Sequence, residues 1–136
     1  MLNFCMSVRD DDYCFVCGRE NPIGMKLDFS LDGERIVAEF IPRKEHQGYM
    51  DIVHGGIIST LIDEAMVKIA IAKGIPAVTA EMSIRFKRVL NVGERVTISA
   101  EITNMRKRLI EAYAMITDNR GVLIAEARGK LIRVSM

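Results

Sequence analysis

The sequence predicts an α+β chain in which an antiparallel sheet of five or six strands wraps around one long central helix. Two observations carry that expectation. Apolar residues recur at the paired three-and-four spacing of a helix in a single stretch, Ile57 to Ala70, while six other segments alternate apolar and polar residues. Each alternating segment therefore has one apolar and one polar face, the pattern of an antiparallel sheet covered on one side. A lone helix with a broad apolar stripe is what remains to cover it.

Residues 1–25 read as an irregular lead-in that ends in the turn-rich Gly18-Arg-Glu-Asn-Pro-Ile-Gly24. Lys26 to Leu31 then alternates, with Leu27, Phe29 and Leu31 on one face, and Asp32-Gly33 is a two-residue hairpin signal. Arg35 to Ile41 alternates again through Ile36, Ala38 and Phe40. The segment 42–53 is a long loop, and loops of that length in small domains tend to serve function. His54-Gly-Gly56 opens the helix near 56–73, whose stripe is Ile57, Ile58, Leu61, Ile62, Ala65, Met66, Ile69 and Ala70, and Gly74 and Pro76 stop it. At 1.5 Å per residue it is roughly 25 Å long.

Four strands follow. Val78 to Arg88 places Ala80, Met82, Ile84 and Phe86 on one face, and Asn91-Val-Gly93 turns the chain. In Glu94 to Asn104, Val96, Ile98, Ala100 and Ile102 alternate with polar residues, and Arg106-Lys-Arg108 makes a basic turn. Leu109 to Thr117 leads to the turn Asp118-Asn-Arg-Gly121. In the last strand, Val122 to Val134, Glu126, Arg128 and Lys130 share one face, and Ala125, Ala127, Gly129 and Leu131 share the other, where small residues let a helix lie close. Two strands, one long apolar helix and four strands is the hotdog order, read here as one domain over residues 1–136.

Composition narrows the function. The 136 residues are 49% hydrophobic and 27% charged, the balance of a globular chain rather than a disordered one. A net charge of +1 and the absence of Trp argue against nucleic acid as a partner. The uncharged run between Asp51 and Asp63 is far short of the roughly 20 apolar residues of a membrane span. The start, MLNFCMSVRDDD, lacks the basic region of an export signal, so a cytoplasmic location is expected. Three cysteines, Cys5, Cys14 and Cys17, suit a reducing compartment. Cys14-Phe-Val-Cys17 has the spacing of half a zinc ribbon or of a redox pair, but there is no second pair, and Cys5, His46 and His54 follow no ligand spacing. Structural thiols, with no metal and no cofactor, are the expectation.

The segment Gln47-Gly-Tyr-Met-Asp-Ile-Val-His-Gly-Gly-Ile-Ile-Ser-Thr-Leu-Ile-Asp-Glu-Ala65 resembles the HGG-x6-D signature of hotdog thioesterases, in the branch of the phenylacetyl-CoA thioesterases and the mammalian acyl-CoA thioesterases. Thr79-Ala-Glu-Met-Ser-Ile-Arg-Phe86, Gly93-Glu94 and Ala127-Arg-Gly-Lys130 resemble later strands and turns of that family. Cys14 to Gly24 resembles a lead-in carried by some members. Two positions depart: Gly48 stands where many members carry Asn, and Phe86-Lys-Arg-Val89 stands where Phe-x-x-Pro is common. The resemblance implies hydrolysis of an acyl-CoA or other acyl thioester by a homodimer, in some members a dimer of dimers, with active sites at the two-fold interface.

Thioester hydrolysis builds negative charge on the carbonyl oxygen and needs donors there, with a base or nucleophile opposite. A helix N-terminus supplies free N–H groups and partial positive charge. Gly55 and Gly56 have no side chain to keep a substrate carbonyl away, or else they serve a tight turn. Asp63 has only Ser59, Thr60, Met66 and Val67 beside it on the helix, none of them basic, and Asp is a poor mid-helix residue. The resemblance makes it general base or nucleophile. Glu64 has Lys68 four residues on, a plain helix pair, and is expected to be dispensable. His54 either caps the helix or orients the loop toward the thioester. His46 is expected in a solvated loop. Gln47 either donates an amide to the carbonyl or is an ordinary loop residue. Thr79 either positions the attacking water, as its family position implies, or is a plain strand residue. Arg88 and Arg128, with Lys87, Arg106, Lys107, Arg108 and Lys130, are candidates for coenzyme A phosphates. A non-catalytic acyl-CoA or lipid binder lacking a competent acid is the alternative, and a hotdog dehydratase is a third.

Overall fold

The computed structural model describes residues 7–135, so Cys5 lies outside the described residues. Its elements are β1 (Ser30–Asp32), β2 (Arg35–Phe40), a single 3₁₀ turn (Lys44–His46), α1 (Gly55–Ala72), β3 (Ala77–Phe86), β4 (Val96–Arg106), β5 (Leu109–Asp118) and β6 (Leu123–Arg133). The six strands form one sheet in the order β1-β2-β4-β5-β6-β3, with every pair antiparallel. The connection through α1 therefore carries the chain from one side of the sheet to its far edge.

Burial explains the arrangement. Ile58, Leu61, Ile62, Ala65, Met66, Ile69 and Ala70 of α1 are buried, and they meet Ile36, Ala38, Val96, Ile98, Ala100, Ile110, Ala112, Ala114, Ile116, Ala125, Ala127 and Leu131 from the inner face of the sheet. Burying each large aliphatic side chain contributes about 1.5–3 kcal/mol, so this one interface supplies most of the fold's stabilisation. The strip of small residues on β6 sets how close the helix can come. A Cβ added at Gly129 would lie 2.7 Å from the end of the Met66 side chain.

Three details differ from the sequence reading. The first strand is only Ser30–Asp32, because Lys26 has φ +57, which interrupts an extended run; Leu27 is buried while Leu31 is exposed. The hairpin pairs Asp32 with Arg35, so its two loop residues are Gly33 and Glu34, one place later than expected. In β3, Thr79 pairs with Leu131 and Glu81 with Lys130, leaving Ala80 as an unopposed bulge. An extra residue reverses the facing of everything before it. Ala80 is consequently exposed, Met82 and Ile84 stay on the inner face, and Thr79 joins that face instead of the outer one.

The Gly129–Met66 contact predicts a coupled pair. Gly129→Val should cost about 1–3 kcal/mol by overpacking, and Met66→Ala alone about 2–5 kcal/mol by cavity formation. Together they should cost less than the sum, as read by urea denaturation of the four proteins; strict additivity would mean that Gly129 is not small for the sake of the helix.

Candidate functional site

The start of α1 is built for an incoming negative charge. His54 is the N-cap, and its Nδ1 accepts the Gly56 N–H at 2.8 Å. Its carbonyl accepts the N–H groups of Ile57 and Ile58. The Gly55 N–H has no partner among the described residues, and no acidic side chain lies in the first turn to neutralise the helix end. Of the first-turn donors the Gly55 N–H is thus the open one, and it faces a region where partial positive charge is concentrated.

The two glycines differ in purpose. Neither has a positive φ, so neither is needed for backbone conformation. A Cβ at Gly56 would come within 3.0 Å of His54 Nδ1, so Gly56 is small to admit the histidine cap. A Cβ at Gly55 would meet nothing of this chain nearer than 3.7 Å, at the Phe86 ring. Gly55 and Phe86 border a hollow of about 340 Å³ that Ile52, Val53, Ile58 and Leu90 help to line.

Asp63 lies two turns further along α1, half-buried. Its own helix offers it no partner, but the Thr79 hydroxyl of β3 donates to Asp63 Oδ1 at 2.5 Å. The bulge at Ala80 makes this contact possible by turning Thr79 inward. β3 is an edge strand, paired only with β6, so the Asp63–Thr79 pair sits beside the open edge of the sheet. Eight residues at 1.5 Å each separate Asp63 from Gly55 by about 12 Å along the helix axis.

The other candidates spread around this centre. Gln47 Oε1 accepts the Asp51 N–H at 3.1 Å, which closes the loop before α1, and its side-chain NH₂ has no partner among the described residues. His46 departs from the solvated loop position that the sequence suggests: it is buried, its ring packs edge-on to Phe40, and its Nδ1 accepts the Arg43 N–H. Burial, with Arg43 nearby, pushes its pKa down. The His46 carbonyl also accepts the His54 N–H, so this histidine braces the cap. Arg88 reaches both Glu94 (2.7 Å) and Asp118 (2.9 Å), and these two carboxylates already hold its guanidinium. Arg128 lies exposed on the outer face of the sheet, over the Tyr113 ring, on the side away from Asp63.

Glu64 is more than half of a helix pair. Its Oε2 lies 4.0 Å from Lys68 Nζ and accepts the Cys14 thiol at 3.3 Å. Burial, followed by the Glu64 carboxylate, pushes the Cys17 thiol up to about 12. That protonation state ill suits a nucleophilic or redox thiol. The sequence offered the CxxC spacing but no signal for Glu64, which is 50 residues away from Cys14.

The chain is similar to known proteins over most of its length. The thioesterase superfamily model matches residues 50–125, the stretch from the loop before α1 into β6. Acyl-coenzyme A thioesterase 13 of Mus musculus is 30% identical over 98 residues, which cover 70% of each chain. Among solved structures, a thioesterase superfamily protein superposes with a TM-score of 0.84 at 21% identity, covering 89% of this chain, which spans only 60% of that longer one. The E. coli PaaI protein from the phenylacetic acid degradation operon superposes with a TM-score of 0.76 at 24% identity, covering 80% of this chain and 84% of its own. With a matching family model over more than half of its length and a relative at this identity, the chain belongs to the thioesterase superfamily.

Proposed function

We propose that the protein is an acyl-CoA thioesterase, one catalytic domain that works as a homodimer or a dimer of such dimers in the cytoplasm. Among the described residues no helix is long and apolar enough to cross a membrane. The observation that carries the reading is the pairing of one open helix-start donor, Gly55 N–H, with a hydroxyl-held carboxylate, Asp63. Water and an acyl thioester give a carboxylic acid and a free thiol. In this reading the Gly55 N–H donates to the thioester carbonyl oxygen as it gains negative charge. The Asp63 carboxylate either takes a proton from the attacking water or itself attacks the carbonyl carbon. Thr79 is a positioning residue that fixes the carboxylate. His54 holds the Gly56 N–H and with it the first turn, and Gln47 offers its free NH₂ toward the loop. Arg128 is left open for a coenzyme A phosphate, whereas Arg88 serves chiefly as a clasp.

The 12 Å or so between Gly55 and Asp63 along the axis exceeds what one thioester can bridge. Asp63 lies at the β3 edge, which no strand among the described residues covers and which favours pairing with another chain. We therefore assign each site an Asp63 from one protomer and a Gly55 from the other across a two-fold axis.

A screen of acyl-CoAs that follows free thiol should show turnover, and Asp63→Asn should lower kcat by about 10²-fold or more with the fold intact. Undiminished turnover by the folded variant would end the Asp63 mechanism.

Gly55→Pro removes the N–H at the first helical position, where proline is tolerated. It should cost about 10²–10³-fold. Sedimentation should give at least a dimer, and mixing Asp63→Asn with Gly55→Pro chains should restore one of the two sites in each mixed dimer. Absence of any restoration after subunit exchange would place both groups in the same chain.

Thr79→Val should lower kcat by about tenfold or more, with KM little changed, because a hydrogen bond to a charged group contributes about 1.5–3 kcal/mol. Thr79→Ser should recover most of the loss; if it does not, the methyl group rather than the hydroxyl matters.

A further inference from the structure

The lead-in and helix α1 meet at a cluster that the thioesterase reading does not use. Ligand atoms of Cys14, Cys17 and Glu64 all lie within 4.8 Å of one another. The two cysteines come from a tight turn. The Val16 N–H points at Cys14 Sγ (3.4 Å), and the Gly18 N–H bonds the Cys14 carbonyl (2.9 Å). Such a turn sends both sulfurs to one side. Gly18 is held to glycine by space: a Cβ there would lie 2.3 Å from the Cys14 backbone nitrogen. The turn is fastened to the rest of the lead-in by Met25 N–H to Phe15 O and Leu27 N–H to Val16 O, both 2.9 Å.

We propose that Cys14, Cys17 and Glu64 hold a zinc ion, which staples the lead-in to α1 at the residue next to Asp63. Two sulfurs and one carboxylate oxygen form a ligand set that suits zinc and disfavours magnesium or calcium, which take oxygen. The charges also close. Two thiolates and one carboxylate carry three negative charges, the ion carries two positive, and Lys68, 4.0 Å from Glu64, supplies the last. Three protein ligands leave a fourth position for water or another group.

The test uses the full, reduced chain, stripped by a chelator and titrated with cobalt(II), which reports thiolate ligation by a near-ultraviolet charge-transfer band. One cobalt per chain is expected, with that band and the visible absorption of a four-coordinate ion, and zinc should displace it. The Cys14→Ser/Cys17→Ser double variant should lose the band, and Glu64→Gln should weaken binding by at least about tenfold, as even removal of a supporting residue does. Because the cysteine variant could fail to fold, circular dichroism accompanies each titration, and Glu64→Gln, which keeps side-chain size, provides the second arm. Zinc should raise the melting midpoint of the wild-type chain and not that of the double variant. A folded, reduced wild-type chain that gives no charge-transfer band overturns the proposal. So does a band that survives in the folded double variant, or affinity unchanged by Glu64→Gln.

Discussion

The burial of one helix stripe against one sheet face is the interaction on which everything else rests. Leu61, Ile62, Ala65, Met66, Ile69 and Ala70 are fully withdrawn from water, and their partners come from five strands distant in sequence. No other element of the described chain could cover that face. The helix is therefore fixed in depth, by the small residues of β6, and in rotation, by its own stripe. Fixing the rotation fixes the directions of residues off the stripe. Asp63 and Glu64 are neighbours, yet Asp63 meets the β3 edge and Glu64 meets the lead-in.

That rotation also sets what the helix presents at each of its two candidate positions. Its start is left uncovered because the loop before it ends in an extended His54, and the histidine closes back on Gly56 rather than on Gly55. Helix-end charge is then available at one N–H without a competing acid. The carboxylate stands two turns away, beside an edge strand. In the proposed mechanism a donor and an acid separated in this way on one helix meet only across two protomers, so that catalysis and assembly would draw on the same feature of the fold.

The ionic clasp of Arg88, Glu94 and Asp118 belongs to the same framework. Asp118 lies 2.9 Å from the Arg88 guanidinium, and its carboxyl is held below the usual carboxylate range first by the Val122 N–H it accepts and then by the N–H and guanidinium of Arg120. Glu94 is held low chiefly by Arg88. The clasp joins the end of β3 to the turns flanking β4 and β6, and so steadies the strand that carries Thr79. An arginine that looks like a phosphate ligand in the sequence is here part of the scaffold.

Periodicity by itself determined the helix, five of the six strands to within a few residues, and the order that identifies the sheet, because burial of one face leaves its period in the sequence. The family resemblance and the lack of a rewarding neighbour on the helix marked Asp63, and the glycines marked the helix start. The tertiary structure decided the rest. Nothing in Val78 to Phe86 announces the bulge at Ala80, since a bulge depends on how a strand pairs and not on which residues it contains; without it Thr79 would face away from Asp63. His46 reads as a loop residue, but it is buried by Phe40 and by its bond to Arg43. The distinction between Gly55 and Gly56 rests on where an imidazole lies. The meeting of Cys14 and Cys17 with Glu64 joins segments 50 residues apart, and contacts of that range leave no spacing to read.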